Sequence, residues 1–250
     1  MDYANWFVGG ATFFLGLVAI LQEWIKVQLF HPNLDCSIKT VPPDCHRTVV
    51  QGNNPFYAFY YTFRISNKGN RAAKNIEVLI SDVSQRKGDT DCYIEGFLPD
   101  NLNWTLLSEP IYVGERIYWR SKVYCDYISP NTSKHCNLGH IHDPAFRDSV
   151  GEDNPDLHLP QKETIFCFDV HFRSSRPYYL VAPGTYIFKI TVGSSNAKSM
   201  SKFYEMTVTG KWFTDEDRML NEGLIIKEIA KGSNGSPIKQ GTSDSSAATE

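Results

Sequence analysis

Between Phe56 and Ile65 large apolar residues recur at every second position. Tyr57, Phe59, Tyr61, Phe63 and Ile65 fall on one side of an extended chain, opposite Ala58, Tyr60, Thr62 and Arg64. A period of two predicts a β-strand. Ser66-Asn67-Lys68-Gly69-Asn70 supplies turn residues, and Asn75 to Val83 resumes the alternation with Ile76, Val78 and Ile80 on one face. Similar patterns recur at Arg116 to Tyr124 (Ile117, Trp119 and Val123 inward), Glu163 to Phe172, Thr185 to Val192 and Lys202 to Thr209. Shorter candidates are Cys36 to Val41, Cys92 to Phe97 and Trp104 to Leu107. Strands separated by turns, without intervening helices, predict two antiparallel sheets packed face to face rather than βαβ units.

Two segments follow other rules. Tyr3 to Gln22 carries no charge, and Trp6 and Trp24 lie near its ends. About 20 apolar residues in a helix span one hydrocarbon core, and indole rings favour its borders. The segment 1–30 is therefore expected to be a transmembrane anchor, with lipid contacted through residues 3–22. Gly9, Gly10 and Gly16 would allow another helix to approach closely. Near the other end, Thr214-Asp215-Glu216-Asp217 resembles a helix start, and Met219, Leu220, Leu224, Ile225 and Ile229 follow at helical spacings. A short amphipathic helix is expected over 211–231, and a disordered Gly/Ser-rich tail over 232–250.

The remaining organisation is a connector with an edge strand at 31–55 and a β domain at 56–210, interrupted by a long loop-like insertion at 129–159. Pro, Asn, Asp, His and Gly break the alternation there, and loops of that length are commonly functional. The formal net charge of −3 argues against a polyanion partner, so no nucleic acid is expected. No basic residue precedes the apolar run, whereas Lys26, Lys39 and Arg47 follow it, which favours a cytoplasmic domain. Cys36 with Cys45, or Cys125 with Cys136, would suit disulfides in an oxidising compartment; a cytoplasmic domain would keep all six cysteines reduced.

His135, Cys136, His140, His142 and Asp143 lie close together in the insertion. Imidazole, thiolate and carboxylate all bind zinc or similar divalent ions, so His135, His140, His142 and Asp143 form the candidate metal set. The competing reading is a solvated loop whose His and Asp serve turns. Cys167, Asp169 and His171 form a second row on one face of a strand, too widely spaced for direct hydrogen bonds along it. The chain has no nucleophile elbow, phosphate loop, metalloprotease helix or dinucleotide fingerprint. No catalytic residue and no cofactor are expected on the leading reading.

Phe63-Arg64-Ile65-Ser66-Asn67-Lys68-Gly69, followed by Ala73-Lys74-Asn75-Ile76-Glu77-Val78, resembles the early hairpin of CARDB-like and related immunoglobulin-like accessory domains. Pro183-Gly184-Thr185-Tyr186-Ile187-Phe188-Lys189-Ile190 is similar to their late strand. The resemblance implies an immunoglobulin-like β-sandwich that presents loops or a sheet face to another molecule without catalysis. The expected protein is thus a single-pass, membrane-anchored binding, sensing or assembly module with a protein partner. The alternative is a metal-binding protein or metal-dependent hydrolase built on the His-rich insertion.

Overall fold

The computed structural model describes residues 3–51, 54–88, 90–94, 96–113, 116–152, 159–160, 162–172 and 178–230. The protein is mainly β, with several antiparallel sheets and one N-terminal helix, α1 (Tyr3–Leu29). The strands, in chain order, are β1 (Leu34–Ser37), β2 (Cys45–Val50), β3 (Phe56–Asn67), β4 (Ala73–Lys87), β5 (Thr90–Tyr93), β6 (Asp100–Asn101), β7 (Ser108–Val113) and β8 (Arg116–Ser121). They continue with β9 (Cys125–Ile128), β10 (Thr132–His142), β11 (Phe166–Phe168), β12 (Leu180–Val181), β13 (Gly184–Gly193), β14 (Met200–Val208) and β15 (Leu224–Ile229).

One sheet runs β1-β3-β10-β11-β12, with β2 sharing the β1 edge of β3. The second runs β15-β14-β13-β4, and the far edge of β4 is taken in turn by β9, β6 and β5. The alternation that predicts β3 and β4 also fixes which side chains meet. Phe59, Tyr61, Phe63 and Ile65 from the first sheet enter one core with Ile76, Val78, Ile80, Phe188, Ile190 and Tyr204 from the second. Phe63 and Tyr204 are 4.8 Å apart at their ring centres, and the Tyr204 hydroxyl donates to the Cys36 carbonyl at 3.1 Å. Each such buried side chain contributes roughly 1.5–3 kcal/mol relative to exposure.

Several expectations are corrected. The described part of the insertion expected at 129–159 is not one continuous loop: Thr132–His142 is an eleven-residue strand at the centre of the first sheet. Its polar composition hid the strand, because its two faces meet different surroundings. The expected helix at 211–231 shrinks to one α-turn (Glu216–Arg218) and a π-turn (Met219–Gly223). Residues 224–229 instead pair with β14, since Leu224 and Ile226 alternate with the exposed Ile225 and Lys227. Ile117 and Trp119 do not face the core either; β7 and β8 form a separate hairpin on which Tyr112, Ile117 and Trp119 are exposed. The expected tail at 232–250 lies outside the described residues.

Among the described residues no helix is long and apolar enough to cross a membrane; the stretch of α1 with described side chains, 9–22, has 14 residues. All fourteen of those residues are exposed. Phe13, Phe14 and Ile20 are 75%, 64% and 71% exposed.

Candidate functional site

The site begins with one extra residue in β10. Asn137 pairs with Thr62 and Gly139 with Tyr61 on β3, so Leu138 is a bulge. Cys136 and Leu138 both enter the core. A bulge resets the alternation beyond it. Ile141 consequently packs in the core, and His140 and His142 are placed on the opposite face. Had regular pairing continued through Leu138, both imidazoles would follow Cys136 and Leu138 into apolar surroundings. On the outer face His140 is opposed by Tyr60 of β3 and Cys167 of β11, while His142 is opposed by Ala58. Gly139 permits this packing, because an added Cβ would stand 2.2 Å from the Cys167 carbonyl oxygen.

The chain then folds back over that face. Asp143 caps a 3-10 helix, Pro144–Val150, by accepting a hydrogen bond from the Ala145 amide at 3.0 Å. Phe146 stacks on Phe56 with 4.9 Å between ring centres. Buried Arg147 holds the returning chain by donating to the carbonyls of Pro160 (2.6 Å) and Glu163 (3.2 Å). Gly151 ends the helix at φ 70°, a left-handed conformation that glycine adopts without strain. The reversal brings Glu152 onto the two histidines.

Glu152 Oε1 lies 2.8 Å from His140 Nε2, and Glu152 Oε2 lies 2.8 Å from His142 Nδ1. On its other side, His140 Nδ1 is 2.9 Å from Asp169 Oδ1. The donor atoms of His140, Glu152 and Cys167 lie within 4.8 Å of one another. His140 and Glu152 are each only 4% exposed and Cys167 1%, so the cluster is screened from water.

Burial opposes a charge on His140, but hydrogen bonds to Asp169, Cys167 and Glu152 outweigh it and hold its pKa well above the ordinary imidazole value. Burial likewise opposes the Glu152 carboxylate, yet His140 and His142 bring its pKa down to about 2. The Cys167 thiol is pushed up by burial, with His140 only partly offsetting it. The His140 ring is thus held between the carboxyl groups of Glu152 and Asp169, one on each ring nitrogen.

The candidate metal set is therefore split. His140 and His142 come together, whereas Asp143 is a helix cap and His135 lies elsewhere, 3.1 Å from Asp44 Oδ1. That same Asp44 oxygen also accepts from Arg64. The second row divides too: Cys167 and Asp169 join His140, and His171 lies 3.2 Å from Asn103 Oδ1. Glu152 went unrecognised because its contact follows from the turn at Gly151, not from spacing along one element.

No family model matches the chain, and no curated protein or solved structure matches it. The six cysteines are free, so neither Cys36 with Cys45 nor Cys125 with Cys136 is bridged.

Proposed function

We propose that this chain is a single-pass, membrane-anchored, non-enzymatic binding or assembly module whose two sheets form an immunoglobulin-like sandwich. The observation that carries the reading is the exposure of the large apolar side chains of α1, including Phe13, Phe14, Leu15 and Ile20. Leaving each of them in water forgoes roughly 1.5–3 kcal/mol, a loss that a bilayer around residues 3–22 removes. The CARDB-like resemblance of the 63–78 hairpin and the 183–190 strand agrees with an accessory domain that holds a partner. Because Thr132–His142 of the 129–159 insertion is a paired strand within the first sheet, the contact surface is assigned to the β7–β8 hairpin, whose Tyr112, Ile117 and Trp119 are exposed. The basic residues that follow the anchor favour a cytoplasmic position for the domain.

Membrane fractionation with an alkaline wash tests the anchor. The full chain is expected to stay with the membrane and a chain starting at residue 31 to be released. Release of the full chain by alkali would overturn the reading.

A further inference from the structure

Five side chains of the buried cluster have a division of labour that a simple ion-pair network does not need. His140, Glu152 and Cys167 bring an imidazole, a carboxylate and a thiol toward one point, with their donor atoms within 4.8 Å of one another. Asp169 and His142 stand behind them. Asp169 Oδ1 holds Nδ1 of His140 at 2.9 Å, which leaves Nε2 directed toward Glu152. His142 Nδ1 holds the second oxygen of Glu152 at 2.8 Å. A carboxylate behind a histidine is the usual support of a metal-binding imidazole, because it fixes the tautomer and ring orientation and raises ligand basicity.

We propose that His140 Nε2, Glu152 Oε1 and Cys167 Sγ bind one zinc-class divalent ion, with Asp169 and His142 as positioning residues. The site goes beyond the anchored-module reading and does not depend on it. A thiolate with an imidazole selects against the hard cations magnesium and calcium, which take oxygen ligands. Zinc bonds of about 2.0–2.3 Å around a tetrahedron place the donors roughly 3.3–3.5 Å apart. Reaching that spacing requires His140 and Glu152 to separate slightly from 2.8 Å and Cys167 to draw in. Binding displaces the thiol proton of Cys167 and the proton shared by His140 and Glu152, both to solvent. The bulge at Leu138, the gap at Gly139 and the reversal at Gly151 then share one result, since each brings a donor to the same point.

Four ligands would close the site, whereas three protein donors leave one position of the tetrahedron to water or a small ligand. Three sequence elements supply the donors: β10 gives His140, the turn after the 3-10 helix gives Glu152 and β11 gives Cys167. The ion would therefore pin the 143–152 cover to the sheet.

The test is metal uptake by the full-length chain in detergent, read as bound zinc after dialysis and as the optical spectrum with cobalt(II). One ion per chain is expected, with a thiolate-to-cobalt charge-transfer band that disappears in Cys167→Ser. Asp169→Asn should keep the band while weakening affinity about 10–100-fold. Circular dichroism of each variant separates loss of the ion from loss of the fold. A folded wild-type chain that takes up neither zinc nor cobalt overturns the proposal. So does a cobalt spectrum that a folded Cys167→Ser variant leaves unchanged. Membrane attachment is read independently, so failure here leaves the anchor reading standing, and the reverse holds.

Discussion

Glu152 joins His140 to His142 with both of its carboxylate oxygens, each 2.8 Å from an imidazole nitrogen. A carboxylate buried to this extent is tolerated because its charge is paired on both oxygens. The contact also fastens the cover segment to the outer face of the first sheet, so its loss has structural as well as electrostatic consequences.

Removal of that carboxylate should be costly. Glu152→Ala leaves the polarised His140 and His142 buried without their common partner, and a loss of about 3–5 kcal/mol is expected. The urea midpoint measured on the chelator-treated chain checks this. A Glu152→Ala midpoint equal to wild type would mean that the cluster contributes nothing to the fold.

Gly139 should not accept a side chain. A Cβ there would lie 2.2 Å from the Cys167 carbonyl oxygen and 2.6 Å from the Phe166 ring, so β10 and β11 must move apart. Gly139→Ala is expected to cost about 1–3 kcal/mol, the usual range for overpacking. By contrast Gly16→Ala meets nothing within 4 Å and should leave the melting temperature unchanged. Thermal melts of the two variants make the comparison.

Acid stability should depend on Glu205. Burial raises the pKa of its carboxyl, but Lys227 and Arg86 outweigh burial and lower it below the ordinary value of 4.5. A depressed carboxyl stabilises the folded chain above the unfolded pKa, and this contribution is lost as pH falls through the folded one. Glu205→Gln should therefore destabilise at neutral pH and narrow its difference from wild type below about pH 4. Urea titrations at several pH values report the change.

Thiol chemistry should single out Cys92. Cys36, Cys45, Cys125, Cys136 and Cys167 are buried, whereas Cys92 is half-buried on β5. A membrane-impermeant maleimide should label the native chain chiefly at Cys92, and Cys92→Ser should remove most of that signal. The same reagent applied to intact and then permeabilised cells reports the side of the membrane: labelling only after permeabilisation agrees with a cytoplasmic domain.

The β character of this protein and much of its core were legible in the alternation of its residues. Where a strand has one face in the core, burial requires a period of two, and Phe59, Tyr61, Phe63 and Ile65 are legible for that reason. The same rule misplaced Ile117 and Trp119, because an alternating hairpin can have two exposed sides. It also passed over β10, where the two faces meet different layers and the bulge at Leu138 breaks the period. The paired histidines were visible as residue types, but their partners were not. The fold in three dimensions brings Glu152 back from a turn, sets Cys167 of β11 and Asp169 just past its end beside the histidines, and keeps His135 and Asp143 apart. Periodicity reports one element's contact with its surroundings; a site assembled from three elements depends on cross-strand register and chain reversal, which no single element's pattern contains.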